Sequence, residues 1–270
     1  MTGPEDDFTK PSMRRVYDYW LGGRDNFAAD REQAHRIEAA YPPLPAGQVP
    51  VPRRNVRAGR AFLERAVAWT AGQGVAQFAQ LAAGPPAPPQ YPPLHEVARR
   101  ERPGARWAYT DADPVTASII RAFTAGQDVA VIEGDAREPD VILKLLGEAV
   151  DLDMPTGVIL AMGLQMLPLE QARELAAAYV AALVPGSYLV LTCPTCTDPE
   201  LWERLQSART AGRACRAWNH SPADIEAFFS GTELVPPGLV MARAWKPARG
   251  PVGMRPDAAS HILAGVGVKP

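Results

Sequence analysis

The chain has 270 residues, 47% of them hydrophobic and 21% charged, enough apolar material to bury a core, which excludes wholesale disorder. With 28 basic and 30 acidic residues the formal net charge is −2; a nucleic-acid-binding domain is clearly basic, so nucleic acid is not an expected partner. No run approaches the roughly 18 apolar residues of a membrane span, the polar start MTGPEDDFTKPSMRR reads against a secretory signal, three cysteines make no disulfide scaffold, and the expectation is a cytoplasmic protein.

Residues 1–11 read as a disordered arm. Ser12 is placed to cap a first helix, on which Met13, Val16, Tyr17, Trp20 and Leu21 recur at helical spacing, and Gly22-Gly23 ends it. A second helix is expected from about Asn26 to Ala40, stopped by Tyr41-Pro42-Pro43, and a third from about Arg53 to Thr70. These helices form a cap over residues 12–72.

From Val75 onward the pattern changes. The apolar runs VAQFAQLA, RWAYT, VAVIEG, TGVILAMG and SYLVLTC alternate with the amphipathic segments LHEVARRE, DPVTASIIRAF, PDVILKLLGEA and PLEQARELAAAYVAAL. Near-continuous apolar strands alternating with helices predict an α/β domain, residues 73–248, built on a parallel sheet covered on both faces. Asp198-Pro199 and Ser221-Pro222 open two more helices. Short strands near Glu233–Val235 and Val240–Trp245 are expected to finish the sheet as a hairpin. Residues 249–270, rich in Gly and Pro, read as an extension over the surface.

In an open parallel sheet ligands bind beyond the carboxyl ends of the strands. There the sequence places QLAAGPPAPPQYPP, TDADP, GDAREP, GLQMLP and CPTCTDP. In TDADP, Asp111 suits the two hydroxyls of a nucleoside ribose, both donors to one carboxylate; a helix cap is the competing reading, and for Asp113 the favoured one. Asp135 suits an adenine amino group, or a turn.

The segments VYDYWLGGRDNFAADREQA (16–34), HEVARRERPGARWAYTDADPV (95–115), AREPD (136–140), LVPGSYLVLT (183–192), HSPADIEAFFSGTELVPPGLV (220–240) and GVGVKP (265–270) resemble, in order and over nearly the whole chain, the S-adenosylmethionine-dependent methyltransferase-like family once called DUF574. The resemblance implies a class I methyltransferase, Rossmann-like fold: a seven-stranded sheet of order 3-2-1-4-5-7-6 with an antiparallel last strand and an N-terminal helical cap. It also implies cofactor contacts at Gly84, Asp111 and Asp135. The family's first-strand Asp-x-Gly-x-Gly falls here on Gln80, Ala82 and Gly84, so an acid is lost and one glycine carries a methyl group. A proline-rich loop follows, with few free N–H donors. Gln165 stands where the family tends to have His, which removes a candidate base.

The segment from Tyr17 through Tyr19, Arg24, Asn26 and Phe27 is expected to lie over the cleft as a lid. Alanine at Tyr19 or Asn26 should then lower turnover more than stability. Arg53, Arg57 and Arg60 share a helix face; a solvated face or an anion pocket both fit them. Cys193, Cys196, Cys215 and His220 have the composition of a zinc site, but small core cysteines are the preferred reading. His95 is read as a helix-start residue and His220 as lying near the surface. The resulting expectation is a methyltransferase-fold enzyme of specialised metabolism that no longer uses S-adenosylmethionine and needs no cofactor. It would close a ring in a small molecule or eliminate an anionic leaving group from it, because a shaped cleft can hold a nucleophile against a leaving group. Two alternatives stay open: a S-adenosylmethionine-dependent methyltransferase, or a non-catalytic subunit. A homo- or heterodimer is compatible with each.

Overall fold

The computed structural model describes residues 9–211, 216–246 and 260–270; most of the expected arm, Cys215 and residues 249–259 of the expected extension lie outside them. The cap begins with α1 (Met13–Leu21), α2 (Ala28–Ala39) and α3 (Val51–Gly72). Gly22 ends α1 in the left-handed region at φ +91°, and the N–H groups of Gly22 and Gly23 donate to the Tyr19 and Asp18 carbonyls. A methyl group on Gly23 would overlap the Asp18 carboxylate. Ser12 does not cap α1 with its side chain; its N–H donates to Asp30 Oδ1 at 2.8 Å. Fully buried Asp30 also accepts from Arg15 Nε (2.7 Å) and Phe27 N (2.8 Å), so one carboxylate ties the start of α1 to the start of α2.

The sheet strands are β1 (Gln77–Leu81), β2 (Arg106–Asp111), β3 (Val129–Glu133), β4 (Gly157–Ala161), β5 (Tyr188–Cys196), β6 (Glu233–Leu234), β7 (Val240–Met241) and β8 (Ser260–Val268). Between them run α4 (Leu94–Glu101), α5 (Pro114–Phe123), α6 (Pro139–Leu146), α7 (Leu169–Ala181), α8 (Pro199–Ala211) and α9 (Pro222–Ala227). The order is β3-β2-β1-β4-β5-β8-β6, with β7 also on β8. β1 to β5 are parallel and β8 is antiparallel to β5. This is the expected 3-2-1-4-5-7-6 order, with β8 standing as strand 7 between β5 and β6.

Period-two alternation divides the strand side chains between two cores. On one face Leu81, Leu160 and Leu191 meet Ile142, Leu146, Tyr179 and Phe228. On the other Phe78, Trp107, Ile159 and Val190 meet Phe62, Val67 and Leu94. A third, smaller cluster joins Val16, Trp20, Ile37 and Val56 of the cap to Leu201 and Leu205 of α8.

The sheet corrects the reading of the last strands. The end of the chain is a sheet strand and not a surface wrap: β8 pairs with β5 over nine residues, from Tyr188↔Val268 to Cys196↔Ser260. Its glycines are demanded by packing, because a Cβ on Gly267 would overlap Thr232 and one on Gly265 would press on Phe229. Nor do β6 and β7 form a hairpin; each pairs with β8. β5 runs through Pro194. β4 accompanies β5 only as far as Thr192, so the proline lies where the strand is an edge on that side.

Candidate functional site

The carboxyl ends of β1, β2, β3 and β4 open onto a cavity of about 780 Å³, within the roughly 300–1,000 Å³ range of small-molecule sites. α1 closes one side of it with Arg14, Tyr17 and Asp18; Arg60 of α3 and Gln165 stand in its wall.

The turn after β1 is stitched to the end of β2. Ala82 N donates to Thr110 Oγ1 (3.2 Å), Ala83 N to the Thr110 carbonyl (2.8 Å) and Gly84 N to Asp111 Oδ2 (2.9 Å). Ala82 adopts φ +47°, a left-handed conformation that costs an alanine roughly 1 kcal/mol. The methyl group therefore does not prevent the turn. Gln80 through Pro88 border the cavity, and a Cβ on Gly84 would meet nothing within 4 Å. Ala82 and the prolines thus line the cavity and leave open space beside Gly84.

Asp111 is fully buried. Besides Gly84 it accepts from Asp113 N (3.0 Å), and Arg14 Nη1 lies 3.1 Å from its Oδ1 and 3.8 Å from Asp113 Oδ2. Asp113 is the cap of α5, accepting from Val115 N (3.1 Å) and Thr116 Oγ1 (2.6 Å). Asp135, at the end of β3, lines the cavity and takes the Arg137 side chain on both oxygens and its N–H on one; these bonds hold its carboxyl below the usual range.

Gln165 follows β4 in a short 3-10 turn and is 6% exposed. Its Nε2 donates to the Met162 carbonyl at 2.6 Å, which fixes the amide orientation and leaves Oε1 buried without a partner. Tyr17 is pushed up to about 12 by burial, opposed by the Arg60 charge, so its hydroxyl stays protonated. Arg60 donates to Glu64 Oε1 (3.1 Å) and to the Pro92 carbonyl. Burial raises the Asp18 carboxyl against the Asn26 hydrogen bond.

The cavity thus gathers Tyr17, Arg60, Gln165, Gly84 and Asp135, with Asp111 behind Arg14. Tyr19, Arg24, Asn26, Phe27 and Arg57 do not border it. Tyr19 turns away to His35 Nε2 (2.9 Å) and Arg53 (3.1 Å). Asn26 neither caps α2 nor covers the cleft; its Nδ2 donates to Asp18 Oδ2 (2.8 Å) and the Gly23 carbonyl (3.0 Å), clipping the turn between helices. Arg24 is exposed, and Phe27 is 42% exposed beneath the Arg15 guanidinium. Arg53, Arg57 and Arg60 of α3 do not converge: Arg53 pairs with Glu38 at 2.7 Å, and Arg57 is exposed. His220 is buried, not near the surface, with Nε2 3.2 Å from the Leu164 carbonyl. Cys193 and Cys196 are buried free thiols, and the described residues hold no metal-binding cluster. Sequence reasoning missed Arg14 and Asp18. The signal was available, since Arg14 lies one turn before Tyr17 and Asp18 and shares their helix side.

Five parallel strands closed by an antiparallel one, with a buried aspartate ending β2, define a Rossmann-like class I methyltransferase architecture. The chain matches the S-adenosyl methyltransferase family model over residues 2–270 and belongs to that family. It is similar to a Thermobifida fusca YX protein classed as a methyltransferase, at 32% identity and TM-score 0.83 over 98% of this chain and 97% of that one. It is also similar to a DUF574 family protein of Streptomyces avermitilis MA-4680, at 29% identity and TM-score 0.82 over 98% and 99%. The plantazolicin methyltransferase, solved with S-adenosylhomocysteine, shares the fold at 9% identity, TM-score 0.51 and 95% of each chain. No curated protein matches. Family membership favours a S-adenosylmethionine-dependent enzyme over the expected cofactor-free cyclase or lyase, which nothing in the fold or the comparisons supports. No helix is long and apolar enough to cross a membrane among the described residues.

Proposed function

We propose that this protein is a S-adenosylmethionine-dependent methyltransferase acting on a small molecule held in the cavity. One observation carries the reading: the cavity of this methyltransferase-family chain runs along the Gly84 turn and Asp135, with Asp111 hydrogen-bonded to that turn. The residues fit the cofactor, because Gly84 lines the cavity and its Cα side borders open space, with nothing within 4 Å of where a Cβ would stand. Asp111 would receive the ribose hydroxyls and Asp135 the adenine amino group. When bound, S-adenosylmethionine supplies an electrophilic methyl group.

The remaining work falls to the chain itself. α1 and α3 wall the cavity with Tyr17, Asp18 and Arg60. The protonated Tyr17 hydroxyl donates to an oxygen or nitrogen of the acceptor. The unpartnered Oε1 of Gln165 accepts from an N–H or O–H group brought into the site, which relieves a buried acceptor whose isolation costs about 1–3 kcal/mol. A largely apolar cavity of about 780 Å³ and a near-neutral chain favour a small acceptor over a polymer. Titration calorimetry of the full chain with S-adenosylhomocysteine tests the reading. A one-to-one isotherm is expected; silence up to millimolar ligand would overturn it.

A further inference from the structure

Arg14 covers the carboxylate assigned above to the ribose hydroxyls. Its guanidinium is 3.1 Å from Asp111 Oδ1, and Asp111 beneath it has no exposed surface. The start of α1 is anchored, because Asp30 accepts from the Ser12 backbone N–H and from the Arg15 side chain. The Arg14 side chain itself is 39% exposed and has room to swing without moving α1.

Resting on the methyltransferase reading above, we propose that Arg14 is a side-chain latch: it occupies the ribose acid in the free protein and must leave before a nucleoside ligand can reach Asp111. The exchange is close to balanced. When Arg14 departs, Asp111 keeps the Gly84 and Asp113 N–H groups as donors, so the carboxylate is not stranded. A vicinal diol then supplies two donors in place of one guanidinium. The second carboxylate near Arg14, Asp113, is 32% exposed at 3.8 Å and offers the displaced guanidinium a second partner. The latch lowers affinity for every ligand that must displace it and leaves ligands at the far end of the cavity untouched.

The test compares wild type, Arg14→Lys and Arg14→Ala by calorimetry with adenosine and with S-adenosylhomocysteine. Arg14→Ala is expected to bind both on the order of five- to tenfold more tightly, with Arg14→Lys between it and wild type. Melting curves check that each variant is folded. Equal affinities in all three proteins would overturn the latch and leave the methyltransferase reading standing. Weaker binding by Arg14→Ala would overturn it too, making Arg14 a ligand contact. Silence of all three proteins toward both ligands would remove the nucleoside reading of the cavity, and the latch with it.

Discussion

Replacing Asp111 by Asn removes a charge and one acceptor while keeping size. The carboxylate now accepts from Gly84 N at 2.9 Å on Oδ2 and from Asp113 N at 3.0 Å on Oδ1, and Oδ1 is also ion-paired with Arg14 Nη1 at 3.1 Å. An asparagine has one acceptor oxygen. Whichever way it turns, its NH2 faces a backbone N–H or the guanidinium. The best orientation keeps Asp113 and Arg14 and sets the NH2 against Gly84 N–H. It loses one charge-assisted hydrogen bond, worth about 1.5–3 kcal/mol, and leaves a buried donor unpaired. A net loss of about 2–3 kcal/mol is expected, which for a chain of this size lowers the melting temperature by about 4–12 °C. Affinity for S-adenosylhomocysteine should fall at least tenfold at the same time. Thermal denaturation and calorimetry on one preparation give both numbers. Asp113→Asn is the control for stability: asparagine caps a helix about as well as aspartate, so its melting temperature should stay close to that of wild type. A melting temperature within 1 °C of wild type would refute the assignment of Asp111 as the clasp of the β1 turn. A large drop in melting temperature with unchanged affinity would refute its role toward ribose.

Asn26→Ala takes donors from Asp18 and the Gly23 carbonyl and an acceptor from Arg31; it should cost about 2 kcal/mol in urea denaturation, with S-adenosylhomocysteine affinity little changed, the reverse of the lid expectation. Burial holds His95 below its ordinary value of 6.5, helped by Arg99 and opposed by the Gln127 hydrogen bond. The unfolded chain therefore binds a proton that the folded chain refuses, so stability is full above about pH 6.5 and falls as pH drops through that value. In His95→Gln this part of the fall should disappear from denaturation midpoints measured between pH 7 and 5.5; parallel curves for the two proteins would refute the attribution.

The sheet was legible because its strands are apolar runs of the right length between good helix starts, as in RWAYT before Asp113-Pro114. β8 was not, because Gly265 and Gly267 give HILAGVGV the composition of a tail. Their reason, the close approach of Thr232 and Phe229, exists only in three dimensions. Asp111 and Asp135 could be placed from strand ends alone. The lid reading failed at Tyr19 and Asn26 because helical periodicity says which residues share a face, but not which face meets the cleft. The turn at Ala82 was misjudged for a related reason: a methyl group at a left-handed position is a cost of roughly 1 kcal/mol, which three hydrogen bonds to Thr110 and Asp111 offset.

The place of β8 in the sheet constrains the order of assembly. β6 and β7 come earlier in the sequence, yet among the described residues each pairs with β8 and with no other strand. They cannot join the sheet until β8 has closed on β5, a pairing of residues up to 80 positions apart at Tyr188↔Val268. Such distant closure is slow compared with the local contacts of the helices. Until it happens β5 presents an open edge along its apolar stretch Leu189–Leu191, the kind of surface on which nascent chains associate. Synthesis conditions that delay β8 should therefore divert the chain into aggregates before they reduce the amount of helix formed.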